Sequence, residues 1–323
     1  MNRIKFPGTN LEVSPLCLGG TMYGTTITEA ESFALLDRYV ALGGNFLDTA
    51  RIYSDWVPGE FRRSERILGD WLQARGNRTK LILATKGAHP FIDSLTVPRT
   101  AAAEIRDDLE GSLRTLRTDI IDLYWLHRDD ESRPVGHFID VLNAFLREGK
   151  IRAFGASNWT TARLRAANDY ARSTNQQGFT ANQPFWCLGC AQSRPPPFSG
   201  WVKLDPEMYR FHRETGLALV PYTSQANGFF SKLARQDAGL EKHEFHVPAN
   251  LAAGKIVAEL AAAKRVTPGA IVLAYLWSNR PFPVVPIIGT RTVAQLEEAF
   301  AALPVRLSPA ELAALETATQ SGL

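Results

Sequence analysis

Apolar positions along the chain change period again and again. Short apolar or β-branched runs give way to longer stretches in which apolar residues recur three and four apart. The short runs predict strands at residues 16–20, 45–50, 81–85, 121–126, 151–156, 179–183, 217–222 and 284–288. Between them, residues 28–42, 64–74, 100–116, 135–147, 161–172 and 294–303 carry helical spacing. Strands that alternate with helices are βα units, and successive βα units make a parallel sheet. The strand count matches a closed (β/α)8 TIM barrel, expected here as one α/β domain over residues 1–323 with its active site at the C-terminal face of the strands.

A doubly wound open sheet is the rival architecture, but the chain has no GxGxxG fingerprint and no GxxxxGK[ST] phosphate loop. Residues 186–204 and 225–250 interrupt the alternation and are expected as irregular βα loops over the barrel mouth. Ser64, ahead of Glu65, is expected to cap its helix, where a hydroxyl and a carboxylate meet free N–H groups. Gly43-Gly44 and Gly149 stand where helices need a left-handed exit.

Composition narrows the function classes. A chain of 323 residues, 45% hydrophobic and 21% charged, can bury a sizeable core. Its net charge of +3 comes from 36 basic and 33 acidic residues spread along the sequence, without the basic block of a nucleic-acid arm. The opening residues hold no apolar leader, and no apolar run approaches the roughly 20 residues that cross a bilayer. A cytoplasmic protein without membrane or nucleic-acid partners is expected, and the two sequons at Asn77 and Asn158 read as chance. Three cysteines cannot all pair within one chain. Cys187 and Cys190 form a CxxC, but zinc would need two further ligands, and the pair precedes the loop-like Ser193-Arg194-Pro195-Pro196-Pro197 rather than opening a helix. His243-Glu244-Phe245-His246 falls one residue short of HExxH and reads as a polar loop, and no metal site is expected.

The chemistry gathers at the ends of three early strands: Asp48 and Tyr53 after the second, Lys86 after the third, His127 after the fourth. Singly these residues read as a cap, loop packing, a solvated strand end and a core histidine. Together, at one barrel mouth, they allow proton transfer. A phenol ordinarily titrates near 10, and a neighbouring ammonium stabilises its phenolate. Lys86 can supply that charge, Asp48 can hold Lys86 charged, and His127 can donate a hydrogen bond to a substrate oxygen.

The chain resembles the aldo-keto reductase superfamily over nearly its whole length. The matching stretches are Gly44-Asn45-Phe46-Leu47-Asp48-Thr49-Ala50-Arg51-Ile52-Tyr53, Ala84-Thr85-Lys86, Asp122-Leu123-Tyr124-Trp125-Leu126-His127, Gly155-Ala156-Ser157-Asn158 and Ile288-Gly289-Thr290-Arg291. The resemblance implies an oxidoreductase that moves hydride between a nicotinamide cofactor and a small aldehyde, ketone, sugar or alcohol. It assigns Tyr53 as general acid, Lys86 and Asp48 as its tuning partners, and His127 as the residue that orients the carbonyl. It also implies a carboxamide held by Ser157, Asn158 and Gln183, with Tyr222 stacked on the ring. Further cofactor contacts are implied at Gly20, Thr21, Met22 and Asp48, and along Thr223, Gln225, Gly228 and Phe229. Gly289, Thr290, Arg291, Gln295 and Glu298 resemble an adenosine-phosphate clamp, in which Arg291 favours NADP(H) over NAD(H). The chain departs from the family at Ala299, where an asparagine is common, and at Thr223-Ser224-Gln225. Trp56 and Trp159 are candidates to join Tyr53 and His127 around the substrate, while Met22, Tyr23, Phe185 and Trp186 read equally as pocket wall or as packing. The alternative function is a cofactor-binding regulatory module with little turnover.

Overall fold

In the computed structural model, which describes residues 2–194 and 200–323, each expected strand position carries a strand of a single parallel sheet. The strands are β3 (Cys17–Gly19), β4 (Phe46–Asp48), β5 (Ile82–Gly87), β6 (Ile121–Leu126), β7 (Ile151–Ser157), β8 (Ala181–Gln183), β9 (Ala218–Leu219) and β10 (Ile287–Ile288). They pair in the order β10-β3-β4-β5-β6-β7-β8-β9. The open edges meet. Leu219 N donates to Pro283 O at 2.9 Å, Val285 N to Leu219 O at 2.8 Å and Ile287 N to Pro221 O at 2.9 Å, with a parallel bridge between Leu219 and Val284. The fold is therefore a (β/α)8 barrel. Its strands are uneven: β5 and β6 have six residues and β7 has seven, whereas β8 has three and β9 and β10 two each.

An antiparallel hairpin of β1 (Ile4–Lys5) and β2 (Glu12–Val13) precedes the barrel. It brings Phe6, Leu11 and Val13 into the same buried cluster as the lumen residues, with Phe6 edge-on to Phe46 at 5.8 Å between ring centroids. The outer layer consists of α1 (Glu29–Ala41), α2 (Arg63–Arg75), α3 (Ala102–Leu116), α4 (Val135–Arg147), α5 (Thr161–Ser173), α6 (Pro206–Thr215), α7 (Phe229–Arg235), α8 (Pro248–Lys264), α9 (Pro268–Trp277), α10 (Val293–Ala301) and α11 (Pro309–Thr319). Among the described residues, no helix is long and apolar enough to cross a membrane.

Local chemistry explains most helix ends. Thr28 caps α1 through a reciprocal pair of bonds: its Oγ1 accepts from Glu31 N at 3.2 Å, and Glu31 Oε2 accepts from Thr28 N at 2.7 Å. Gly43 and Gly149 take φ of +90° and +69° after α1 and α4, the left-handed exits expected there. Two expectations fail. Ser64 is not a cap but lies inside α2, buried, with its Oγ donating to Gly20 O at 2.7 Å and touching Thr49 Oγ1 at 2.8 Å. Tertiary partners, not free N–H groups, explain the serine. The stretch 225–250 is not wholly irregular either, because it contains α7, whose Phe229 and Phe230 bury against the core. In the other long loop, Pro195, Pro196 and Pro197 lie outside the described residues.

Candidate active site

Side chains alternate across a strand, so every second residue faces the lumen. Phe46, Ala84, Trp125, Ala153 and Ala181 belong to the lumen cluster. Counting on by two from Phe46, Ala84, Trp125 and Ala181 gives Asp48, Lys86, His127 and Gln183; from Ala153 through Gly155 it gives Ser157. The strand period thus lifts five polar residues to the mouth above an apolar plug. Small residues at Ala84, Ala153 and Ala181 leave room for the buried Trp125 ring. A Cβ on Gly155 would stand 2.4 Å from that ring, so any side chain there would have to displace it.

Lys86 and Asp48 form a buried ion pair. Lys86 Nζ also donates to Thr49 O at 2.9 Å, and the other carboxylate oxygen of Asp48 accepts from Gln183 Nε2 at 3.1 Å. Burial pushes the Asp48 carboxyl up from its ordinary value, opposed by Lys86. Burial also opposes charge on Lys86, but Asp48 and the Tyr53 phenol outweigh it and hold the ammonium above its ordinary value. With Gln183 and Thr49 completing the bonds of carboxylate and ammonium, we take the pair as ionised.

Tyr53 follows β4 in a turn, and Lys86 Nζ lies 4.6 Å from its ring centroid. The His127 ring stands edge-on to Tyr53 at 5.8 Å, and the His89 ring lies 4.7 Å from His127. Burial drives His127 well below the usual histidine range, helped by His89, Arg128 and Lys86, so the imidazole is neutral. Its buried Nδ1 has no partner among the described residues. Burial lowers His89 to about 4, and its Nδ1 bonds Pro90 O at 2.7 Å.

These groups open into a cleft of about 1470 Å³. Asn158, at φ +59°, gathers the adjoining amides: its Oδ1 accepts from Tyr222 Oη at 2.6 Å and Val202 N at 3.2 Å, while its Nδ2 donates to Ser157 Oγ at 3.1 Å and His127 O at 3.3 Å. At the far end, Arg291 N donates to Gln295 Oε1 at 2.8 Å at the start of α10. Thr290 Oγ1 there is buried without a partner among the described residues, and nothing lies within 4 Å of a Cβ on Gly289. An amide cluster beside an aromatic ring at one end, with a buried hydroxyl lacking a partner among the described residues and an exposed arginine at the other, suits an extended nicotinamide dinucleotide.

Most residues singled out from the sequence line this cleft. Thr21, Met22, Trp56, Thr223, Gln225, Gly228 and Glu298 do so together with Asp48, Tyr53, His127, Ser157, Asn158, Gln183, Tyr222, Gly289, Thr290, Arg291 and Gln295. Four do not. Lys86, 1% exposed and paired with Asp48, is buried beside the wall rather than in it. Trp159 is fully buried between Phe138 and Phe179, each ring 5.1 Å away, because packing against α4 turns it into the helix layer and out of the cleft wall. Phe229 is buried against Phe230 and His243 at 5.2 and 5.3 Å and does not line the cleft. Gly20 is absent from the wall, although its neighbours Gly19 and Thr21 line it. Tyr23, Phe185 and Trp186 are likewise buried packing, and Cys187 and Cys190 are buried free thiols. Sequence reasoning missed His89, Arg128, Ile92, Leu95 and Trp201. The helix-free stretch between β5 and α3 was the available signal for His89, Ile92 and Leu95.

The aldo/keto reductase family model matches residues 15–320. The chain is 33% identical to the norsolorinic acid reductase of Emericella nidulans, over 98% of this chain and 80% of that protein. It is 31% identical to an aldo-keto reductase of the same organism over the same shares. It is 27% identical to an aryl-alcohol dehydrogenase of Pestalotiopsis microspora, over 98% of this chain and 81% of that protein. With a barrel of matching architecture and a family match across nearly its whole length, the chain belongs to the aldo/keto reductase family, whose members are oxidoreductases that use nicotinamide cofactors on small carbonyl compounds.

Proposed function

We propose that the protein is an NADPH-dependent reductase of aromatic aldehydes or ketones, acting in the reverse direction on the corresponding alcohols. The observation that carries this reading is the convergence of Tyr53, Lys86, Asp48 and His127 at one end of one cleft. The residues along that cleft would hold a nicotinamide dinucleotide, which would supply the hydride for the carbonyl carbon. Tyr53 hands its phenolic proton to the carbonyl oxygen, and Lys86 stabilises the phenolate left behind. Asp48, fixed by Gln183, keeps Lys86 charged. His127, being neutral, donates a hydrogen bond to the carbonyl oxygen and steers it toward Tyr53. Ser157, Asn158 and Gln183 would hold the carboxamide, with the Tyr222 ring beside the nicotinamide. Thr21, Met22, Thr223, Gln225 and Gly228 would line the path of the dinucleotide, and Thr290, Arg291, Gln295 and Glu298 its adenosine end.

Aromatic substrates are favoured by the cleft rim, where Trp56, Ile92 and Leu95 expose 44%, 39% and 45% of their surface. Relatives named for norsolorinic acid and for aryl alcohols agree with that rim. Loss of NADPH absorbance across aromatic and aliphatic aldehydes, ketones and aldoses tests the reading. Turnover of aromatic carbonyls is expected; cofactor binding without turnover of anything in the panel would favour the regulatory module instead.

A further inference from the structure

Arg128 follows His127 directly and lines the cleft beside Tyr53, Tyr222 and Trp201. Among the described residues, no hydrogen-bonding or carboxylate partner meets its guanidinium, although burial is enough to disfavour its charge. Other arginines drawn from solvent are all paired. Arg51 and Arg99 reach Asp108 at 3.2 and 2.8 Å, Arg62 reaches Glu65 at 3.3 Å, and Arg280 reaches Glu316 at 3.2 Å. The two carboxylates next along the chain are turned away from Arg128. Asp129 is taken in two-pronged fashion by Arg163 at 2.7 and 2.8 Å, and Asp130 accepts from Thr100 Oγ1 at 2.5 Å and faces Arg133 at 3.4 Å.

A partly buried cation without a counter-ion is costly, and a ligand that brings the anion relieves that cost. The planar fork of arginine matches a carboxylate with two parallel hydrogen bonds. Apolar side chains, Trp56, Ile92, Leu95 and Trp201, line the same cleft and suit a flat ring. The geometry points to Arg128 as a specificity determinant that recognises a carboxylate on an aromatic carbonyl substrate, with the ring against the apolar wall and the carbonyl directed at Tyr53. This rests on the carbonyl-reductase reading above and names the substrate class of that same site.

The test compares para-carboxybenzaldehyde with its methyl ester, which differs chiefly in lacking the charge, in wild type and Arg128→Gln saturated with NADPH. Wild type is expected to prefer the carboxylate in kcat/KM by about tenfold or more, and the variant to lose that preference, mostly through KM. Ester turnover in the variant is expected to change by no more than about threefold. Equal losses for acid and ester, or an unchanged preference, would overturn the assignment. So would a variant that weakens NADPH itself, which would mark Arg128 as a cofactor contact. If neither aldehyde turns over, the reductase reading fails and benzoate binding to the NADPH-loaded protein decides the anion site. A dissociation constant raised about tenfold in Arg128→Gln supports it, and an unchanged one overturns it.

Discussion

Gln183 reaches across the barrel mouth to Asp48, its Nε2 donating to Oδ1 at 3.1 Å. The same residue meets Ser157, whose Oγ donates to the Gln183 backbone carbonyl at 2.9 Å and lies 3.5 Å from its side-chain Oε1. The proton-transfer pair and the amide cluster are therefore one hydrogen-bonded unit, and the charge on Asp48 is fixed by the residues that would hold a carboxamide.

Tyr53→Phe keeps the ring that packs against Lys86 and His127 but removes the proton donor. Carbonyl reduction is expected to fall by about a hundredfold or more while NADPH affinity stays near wild type. Steady-state kinetics with a fluorescence titration of cofactor decides it; equal turnover in both proteins would remove Tyr53 from the mechanism. Lys86→Met is expected to lose activity similarly and also stability, since it leaves Asp48 buried without its counter-ion, at a cost of about 3 to 5 kcal/mol.

Arg291→Ala separates the two cofactors. A guanidinium on a 2′-phosphate makes charge-assisted bonds worth about 1.5 to 3 kcal/mol, or roughly tenfold and upward in affinity. NADH has only a hydroxyl there, so its dissociation constant is expected to stay nearly constant while that of NADPH rises. Quenching of tryptophan fluorescence measures both, and parallel weakening would argue against Arg291 as the phosphate reader.

His212 sets part of the acid limit of stability. It lies buried beneath β8, with Nδ1 2.8 Å from Leu217 O and Nε2 3.1 Å from Asn182 Nδ2, and burial lowers it from 6.5 to about 4. The unfolded chain takes up this proton below 6.5 and the folded one only near 4, so the linked stability is complete above 6.5 and drains away as pH falls toward 4. The stability gap between wild type and His212→Gln is expected to shrink by about 2 kcal/mol from pH 7 to pH 5 in urea unfolding. A gap independent of pH would mean that His212 titrates alike in both states.

Gly155→Ala overfills the lumen, because the new methyl would stand 2.4 Å from the Trp125 ring and 2.7 Å from Ala181 O. A cost of about 1 to 3 kcal/mol is expected, seen as a lowered Tm. An unchanged Tm would show that the ring has room to give.

The barrel and its mouth were legible because they rest on short-range rules. Alternation carries Asp48, Lys86, His127, Ser157 and Gln183 to one end from strand position alone. What could not be read depends on distant partners. Arg128 stands out only because Arg163, on α5, occupies Asp129. Trp159 and Phe229 follow or approach the mouth in sequence, yet Phe138, Phe179 and Phe230 draw them into the helix layer. An aromatic residue at a strand end can turn either way, and only tertiary packing decides.

The unequal strand lengths have a consequence for how the barrel breathes. Asp48 and Lys86 sit beside the long ladders of β5, β6 and β7, while the stretch that leads into Thr290 and Arg291 hangs on β9 and β10, two residues each. Amide protons around Val285 and Ile287 are expected to exchange with solvent before those of β6, because fewer backbone bonds must open together. The end of the cleft at Thr290 and Arg291 is therefore expected to loosen before the end that holds the Asp48–Lys86 pair.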